Sequence, residues 1–210
     1  MPEHVKMREL YNLVSDWDPS KLLFSKNFEW TRWGLLGILA DYVLYYTSGN
    51  IIEVGVCETS IFFTQLATKH NRKAYHNDLQ HSVIENCKTI PEYFGPNSQT
   101  YTMPSDQFFA TTQFEFPIAL IFIDGDHLYE QVKKDFDNAL KLLQPDGYIF
   151  LHDTLPPDSS WTNEGSCGTV YKLREEIEAN PEFDIFTFKK SAWDVGLSMV
   201  QKRNNRYTGE

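Results

Sequence analysis

The sequence predicts one α/β domain built on a doubly wound, mostly parallel sheet. The chain has 210 residues, a length suited to one such domain. Short apolar runs alternate with helix-compatible segments from residue 51 onward, a pattern typical of parallel strands joined by helices. Residues 118–123 read IALIFI, an unbroken apolar run expected of a strand buried on both faces. Because no repeat or Ser-, Gly- or Pro-rich linker divides the chain, residues 1–210 are predicted to form a single domain.

The first 48 residues are predicted to be helical and to form a cap on the core. Between residues 30 and 46, apolar side chains recur at helical spacing. These are Trp33, Leu36, Ala40, Val43 and Leu44. The cluster Ser48–Gly49–Asn50 then ends the pattern, and the α/β core is expected over residues 50–201.

Within the core, strands and helices are predicted to alternate. Strands are expected at residues 51–56, 74–77, 99–103, 118–123 and 148–151, and helices at 60–70, 82–90 and 129–143. The third helix is expected to stop at the breaker cluster 144–147, QPDG. A last helix at 170–179 precedes two strands, 183–188 and 196–201, predicted to close the sheet as an antiparallel pair.

The charge of the chain favours a small-molecule substrate. Lys and Arg number 19 and Asp and Glu number 29, which gives a formal net charge of −10. An acidic chain without a basic patch is a poor partner for nucleic acid or membrane, because both interactions rely on neutralising phosphates. Binding of a small molecule is therefore expected, with no nucleic-acid or membrane partner; a homodimer is compatible with the sequence.

Cysteine usage favours a reducing, cytoplasmic location. Cys57, Cys87 and Cys167 are widely spaced and form neither a disulfide framework nor a metal knuckle. The N-terminal segment MPEHVKMREL lacks an apolar signal core. The longest apolar stretch, residues 35–46, is too short to cross a bilayer and is interrupted by Gly37 and Asp41.

Polar and acidic residues stand at the carboxyl end of every predicted parallel strand. In strand order they are Glu53; Asp78; Ser105 and Asp106; Asp124 and Asp126; His152 and Asp153. Capping of the following helix explains any one of them, but it explains the whole series less well. Because ligands of such sheets bind at the carboxyl ends of the strands, this series predicts the functional site.

The same residues discriminate between ligands. A dinucleotide pyrophosphate needs several glycines and a helix start free of acids, whereas residues 53–60 read EVGVCETS, with one glycine and the additional carboxylate of Glu58. No GxxxxGK[ST] motif for a nucleoside triphosphate is present. An acidic edge with a poor phosphate cradle suits a cation without phosphates, such as the sulfonium of S-adenosylmethionine, or a metal ion.

Several motifs resemble those of a known family. Residues 52–56, IEVGV, resemble the first motif of class I methyltransferases. Residues 122–130 (FIDGDHLYE), 142–147 (LLQPDG) and 151–154 (LHDT) look like a branch of small-molecule and sugar O-methyltransferases that includes antibiotic-tailoring enzymes. The similarity covers residues 50–200. It implies a Rossmann-like methyltransferase sheet with an N-terminal helical cap and a C-terminal antiparallel pair, and O-methylation as the activity.

The resemblance also implies residues that bind S-adenosylmethionine. Glu53 and Gly55 would border its methionine part, and Asp78 would accept hydrogen bonds from the ribose hydroxyls. Ser105 or Asp106 would lie beside the adenine, with Asp124 on the same side of the sheet.

A divalent metal and a proton acceptor follow from the same resemblance. Asp124, His152 and Asp153 would hold the metal, for which carboxylate ligands favour magnesium or manganese. Asp126 or His127 would then take the proton of the acceptor during methyl transfer.

Purely structural roles remain open for the same residues. Asp124 and Asp126 also fit a solvated Asp-Gly-Asp turn. His127 fits a structural hydrogen bond at a helix start, and His152 and Asp153 fit ordinary helix capping.

Two other functions remain open. Cys57 and Thr59 stand where the family usually has glycines, which leaves a catalytically silent partner module as one alternative. A different Rossmann-like, nucleotide-dependent enzyme is the other, against which the missing glycines argue. The sequence leaves the methyl acceptor open among sugar hydroxyls, phenols, carboxylates and amines.

Overall fold

Alternating strands and helices run through the described part of the chain. The structure is a computed structural model, and it describes residues 30–163, 165–189 and 195–203. The strands are β1 (Asn50–Val54), β2 (Ala74–Asp78), β3 (Ser98–Thr102), β4 (Ile118–Ile123), β5 (Leu143–His152), β6 (Phe183–Phe188) and β7 (Leu197–Lys202). The helices are α1 (Trp30–Tyr46), α2 (Thr59–His70), α3 (His81–Lys88), α4 (Ser105–Thr111), α5 (Tyr129–Leu142) and α6 (Val170–Ala179), with a 3₁₀ turn at Ser159–Trp161.

The seven strands form one sheet in the order β3-β2-β1-β4-β5-β7-β6. Strands β1 to β5 are parallel, whereas β7 pairs antiparallel with both β5 and β6. The doubly wound sheet and its C-terminal antiparallel pair are therefore confirmed. After β1 the chain first builds outward through β2 and β3 and then returns to β4 on the other side. This reversal opens a crevice at the carboxyl ends of β1 and β4.

Helices cover both faces of the sheet. On one face, Trp33 and Leu36 of α1 and Phe63 of α2 pack with Phe122 and Phe150 of the sheet. A second apolar cluster on the other face joins α5 and α6 to the sheet. Strand β4 is buried along its whole length, as its unbroken apolar sequence predicts. Burying one large apolar side chain stabilises a fold by about 1.5–3 kcal/mol, so these two layers hold the sheet ends in place.

The predicted N-terminal helices are only partly within the described residues. Helix α1 has the predicted bounds, and its predicted apolar side chains are buried. Residues 1–29 lie outside the described residues, so the helical cap stays a prediction there. No helix in the described ranges is long and apolar enough to cross a membrane.

Two local predictions need correction. The breaker cluster 144–147 lies within β5 and not in a separate loop. It still interrupts the ladder, because Ile118 pairs with Leu143 and Leu120 already with Tyr148, so the intervening residues bulge out. Pro145, which has no backbone N–H, is accommodated there. The sequence pattern also does not predict helix α4, since its seven residues are too few to show a clear period.

Candidate active site

A cleft of about 280 Å³ lies at the crevice between β1 and β4. Its walls come from the carboxyl ends of four parallel strands and from α5. The lining residues are Val54, Gly55, Val56, Asn77, Asp78, Leu79, Gln80, Pro104, Ser105, Asp106, Asp124, Gly125, Asp126, Gln131 and Asp135. Five of the six residues predicted to bind the cofactor line this cleft; Glu53 does not.

Gly55 lets the first loop pass directly over the end of β4. Its φ is +91°, in the region that favours glycine, and a Cβ there would lie 2.2 Å from the backbone oxygen of Asp124. The Gly55 N–H donates to the carbonyl of Asn77 at 2.9 Å, which ties the loop to β2 as well. A side chain at this position would force apart the strand ends that form the cleft.

Glu53 is buried beneath the first loop. Its carboxylate accepts hydrogen bonds from the hydroxyls of Thr59 (2.5 Å) and Ser60 (2.6 Å) and lies 2.6 Å from Nδ1 of His76. Glu53 and His76 are both fully buried. The structure therefore places Glu53 where it fixes the start of α2, outside the residues that line the cleft. The contact of Glu53 with the methionine part of a cofactor, which the resemblance implies, stays a prediction.

Cys57 and Thr59, which depart from the glycine pattern, leave the cleft free. The Thr59 hydroxyl is directed to Glu53, and the Cys57 Sγ lies 3.0 Å from the Thr59 Oγ1. Burial raises the pKa of the Cys57 thiol well above its ordinary value. Because neither residue belongs to the cleft lining, the main support for a silent module is removed.

Asp78 is held in place at the end of β2. Its Oδ2 accepts the N–H of Val56 at 3.0 Å, and its Oδ1 accepts the N–H of Gln80 at 2.7 Å. An ionised carboxylate has about four acceptor sites, so two of them remain for a ligand. The geometry agrees with the predicted contact to ribose hydroxyls.

The β3 side of the cleft contains two polar residues of α5 that the sequence analysis missed. The amide nitrogen of Gln131 donates to Ser105 Oγ (3.1 Å) and Asp135 Oδ1 (3.1 Å) and lies 3.4 Å from Asp106 Oδ1. Asp135 is fully buried, and its Oδ2 has no hydrogen-bond partner among the described residues. Burial raises the pKa of Asp135 to about 6, although Ser105 and Gln131 lower it.

The position of Asp135 in the helix is a signal that could have identified it. It lies three residues after Val132 and one before Phe136, both of which are buried on the core side of α5. A carboxylate on an otherwise apolar helix face requires a partner or a function.

Four titratable residues meet beside the cleft at the ends of β4 and β5. His152 Nδ1 lies 3.0 Å from Asp124 Oδ1 and 3.4 Å from Asp153 Oδ1. His127 Nε2 lies 3.1 Å from Asp153 Oδ2 and 3.9 Å from Asp124 Oδ1. Asp153 has φ +59°, a strained conformation for a residue other than glycine that is often found at functional sites.

The charges in this cluster perturb one another strongly. Burial alone would lower the pKa of His152, but the nearby Asp124 and Asp153 raise it to about 10. Burial likewise opposes ionisation of Asp124, yet His152 and His127 hold its pKa well below the usual range. The carboxylate of Asp124, 3.9 Å away, is the main cause that raises the pKa of His127, and Asp153 raises it further. Such opposed titratable groups beside a cleft are typical of catalytic sites.

The cluster also offers a donor set for a metal ion. One ligand atom from each of Asp124, His152 and Asp153 lies within 4.8 Å of the others. Two carboxylates and one imidazole fit a hard divalent cation, provided that His152 loses its proton. The donor set therefore fits the metal that the sequence predicts at these positions.

Asp126 is bonded within its own turn. Its Oδ1 accepts the N–H of Leu128 at 2.7 Å, and the side chain lies on the cleft wall outside the four-residue cluster. Of the two predicted proton acceptors, His127 is therefore the one that contacts the other charged groups.

The segment that follows Asp153 returns to His127 and is hydrogen-bonded to its backbone through Thr169. The Thr169 N–H donates to the His127 carbonyl at 2.7 Å, and the Thr169 hydroxyl accepts the N–H of Tyr129 at 2.8 Å. Gly168 has φ +55°, and a Cβ there would lie 2.0 Å from the His127 carbonyl oxygen. These contacts fix the backbone of His127 beside the cleft.

Comparison with known proteins agrees with this arrangement. A family model described as a methyltransferase domain matches residues 52–154, which include the first loop and the end of β5. No curated protein matches the chain in sequence.

Solved structures share the fold at low sequence identity. The O-methyltransferase TomG of Streptomyces achromogenes, in complex with S-adenosylmethionine, is 14% identical over 95% of this chain and 90% of its own, with a TM-score of 0.64. An O-methyltransferase of Bacillus cereus, in complex with S-adenosylhomocysteine, is 17% identical over 97% and 93%, also with a TM-score of 0.64. MycE, from the mycinamycin pathway and in complex with Mg and S-adenosylhomocysteine, is 14% identical over 96% of this chain and 56% of its own, with a TM-score of 0.61.

The matched segment contains the glycine loop, the acidic strand ends and all four residues of the charged cluster described above. On these grounds residues 52–154 match a methyltransferase domain, and the chain has the fold of solved O-methyltransferases that were crystallised with S-adenosylmethionine or S-adenosylhomocysteine.

Proposed function

We propose that this methyltransferase transfers the methyl group to a hydroxyl oxygen of a small molecule. The observation that supports this proposal best is the cluster of Asp124, His127, His152 and Asp153 directly beside the cofactor cleft. A hydroxyl is a weak nucleophile until its proton is removed, so O-methylation needs a base next to the methyl donor. The O-methyltransferases of the same fold support this choice.

The cofactor is proposed to lie along the cleft from the first loop toward α5. The backbone at Gly55 approaches its methionine part, Asp78 accepts the ribose hydroxyls, and Ser105 and Asp106 border the adenine. Asp124 lies at the sulfonium end, where its negative charge favours a cationic ligand. Its low pKa keeps Asp124 ionised at neutral pH.

His127 is the proposed proton acceptor. Its side chain is 30% exposed, whereas His152 is almost fully buried, so only His127 is accessible to an acceptor molecule. Asp153, 3.1 Å away, stabilises the imidazolium that forms when His127 takes the proton. The buried charge of His152 in turn holds Asp124 and Asp153 in position.

Asp124, His152 and Asp153 are the proposed ligands of a divalent cation such as magnesium. When bound there, such a cation supplies Lewis-acid chemistry that lowers the pKa of the acceptor hydroxyl. The imidazole must be neutral to bind a metal, so metal binding is expected to release the proton of His152. A magnesium ion in the structure of MycE supports this assignment.

The remaining partner and location proposals come from charge and cysteine usage. The net charge of −10 favours a small acceptor over nucleic acid. Three free cysteines agree with a reducing, cytoplasmic location. A homodimer is compatible with the sequence, which leaves the oligomeric state open.

The test combines binding with turnover. Isothermal titration should show saturable binding of S-adenosylhomocysteine, and Asp78→Ala should weaken it about ten- to hundredfold, since charged hydrogen bonds contribute about 1.5–3 kcal/mol. Asp146→Ala, at an exposed position in the β5 bulge, is the matched control. Preferential binding of NADH would contradict the assignment.

Hydroxylated acceptors should then be screened for methylation with EDTA and with magnesium added back. The wild type is expected to lose activity in EDTA and to regain it when magnesium is added back. Magnesium is not expected to restore activity in this way in Asp124→Asn. Full activity in EDTA would remove the metal from the mechanism and leave His127 to act alone.

A further inference from the structure

Trp33 of helix α1 packs against the imidazole of His152. The centroids of the two rings are 4.7 Å apart, and the ring planes are inclined by 44°. The same indole meets Phe122 of β4 edge to face, with centroids 6.2 Å apart. Trp33 and His152 are both buried. Trp33 thus brings α1 into contact with the charged cluster at the ends of β4 and β5.

The contacts of His152 require a defined orientation of its ring. Its Nδ1 lies 3.0 Å from Asp124 Oδ1 and 3.4 Å from Asp153 Oδ1, so this edge of the ring faces both carboxylates. A half-turn about the Cβ–Cγ bond would exchange Nδ1 for a ring carbon and remove both contacts. Because the torsion about this bond is intrinsically soft, neighbouring groups must fix it. The large indole packed against the imidazole leaves little room for such a rotation.

Helix α1 is held in place independently of this contact. In its second half, the buried carboxylate of Asp41 accepts a hydrogen bond from Lys69 Nζ at 2.6 Å. The other oxygen of Asp41 lies 2.6 Å from His70 Nε2, so both contacts join α1 to the end of α2. Further apolar side chains of α1 are buried in the same layer. A substitution of Trp33 should therefore loosen His152 while α1 stays docked.

We propose that Trp33 is a positioning residue of the candidate active site, which holds the His152 imidazole with Nδ1 toward Asp124 and Asp153. This inference rests on the proposed function, in which these three polar residues form the ligand set of a divalent cation. Residues that orient a ligating histidine from outside the ligand set commonly change metal affinity by roughly 10- to 100-fold when they are removed. We expect Trp33→Leu to weaken the binding of Mn²⁺ at least about tenfold.

The first measurement follows His152 in the ligand-free protein. NMR of the wild type labelled with ¹⁵N-histidine should show nuclear Overhauser contacts between the Trp33 indole and the His152 ring. It should also show an Nδ1–H proton of His152 that exchanges slowly with water, a signal that comparison with His152→Gln assigns. In Trp33→Leu this exchange should be at least about tenfold faster, because the ring opens more readily to solvent. Trp33→Phe keeps an aromatic ring at this position and should stay close to the wild type.

The second measurement is the affinity for Mn²⁺, determined by electron paramagnetic resonance. Phe63→Leu is the matched control, since Phe63 packs on Phe122 in the same apolar layer, with ring centroids 5.5 Å apart. Among the described residues, Phe63 makes no ring contact with His152. This control should lower the free energy of unfolding in urea but retain the wild-type affinity for Mn²⁺ and the wild-type proton exchange.

The two measurements separate the role of Trp33 from the proposed function. If either the proton exchange or the Mn²⁺ affinity of Trp33→Leu equals the wild-type value, the inference is overturned and the proposed function stays intact. If this variant does not fold, the wild type gives the answer, because a lack of Overhauser contacts between Trp33 and His152 would also overturn the inference. A wild type that binds no Mn²⁺ would contradict the proposed metal, and the proton exchange of His152 would then decide the role of Trp33.

Discussion

Replacing Asp135 with asparagine should change how the stability of the ligand-free protein depends on pH. Burial raises the pKa of Asp135 from 3.8 to about 6, so the folded state holds this proton more tightly than the unfolded chain. The contribution of Asp135 to stability is therefore fully present below its unfolded pKa and is lost as the pH rises through about 6. The Asp135→Asn variant lacks this dependence, because an asparagine side chain does not titrate.

The magnitude follows from the same values. The step from 3.8 to about 6 corresponds to about 3 kcal/mol at full ionisation, because one pKa unit is worth 1.36 kcal/mol. Relative to wild type, the variant should gain about 2–3 kcal/mol in free energy of unfolding between pH 4 and pH 8. For a chain of this size that equals a change of roughly 4–12 °C in the relative melting temperature.

Urea unfolding at several pH values measures this directly. The informative quantity is the difference between variant and wild type as a function of pH, because all other titrating groups are common to both proteins. Asp137→Asn, on the solvent side of α5, is the matched control for the loss of a carboxylate from the same helix. Parallel stability curves for wild type and Asp135→Asn would refute the reasoning, since they would show that Asp135 has an ordinary pKa.

Three further perturbations test other parts of the site. Gly55→Ala places a Cβ 2.2 Å from a backbone oxygen and should weaken binding of S-adenosylhomocysteine more than tenfold by titration; unchanged affinity would show that the loop can move aside. Glu53→Gln should lower the free energy of unfolding by about 3 kcal/mol in urea, because it disrupts the buried hydrogen bonds to Thr59, Ser60 and His76. The exposed Glu58→Gln should have little effect. For the wild type, kcat should rise with pH through the pKa of His127, which lies above 6.5. In His127→Gln the fall of kcat at low pH should disappear. An unchanged pH profile in this variant would exclude His127 as the base.

Much of the fold is predictable because the decisive signals are local. The apolar run of β4 and the alternation of strands and helices together give a doubly wound sheet. Strand ends of such a sheet meet at one edge, which is why the sequence alone assigns Asp78, Asp124 and Asp153 to the site.

The contacts that depend on register are not predictable in this way. Glu53 follows the strand-end rule in sequence, but it lies directly opposite His76 in the β1–β2 ladder, and that pairing turns its carboxylate into the core. The contacts of Gln131 and Asp135 are not predictable for a related reason. Gln131 of α5 contacts Ser105 at the start of α4, about 25 residues earlier in the chain, and α4 itself is too short to recognise from its sequence.

The hydrogen bonds at both ends of the segment 155–169 have a consequence for how new specificities can evolve. Leu155 donates its N–H to the Val195 carbonyl at 2.7 Å, and Thr169 at the other end donates its N–H to the His127 carbonyl. Both ends are therefore tied to the framework, whereas residues 156–163 bond mainly among themselves. Under the proposed function, substitutions or insertions there would reshape the surroundings of the acceptor without displacing His127 or Asp153. The part that would set the chemistry is thus separate from the part that is free to diversify.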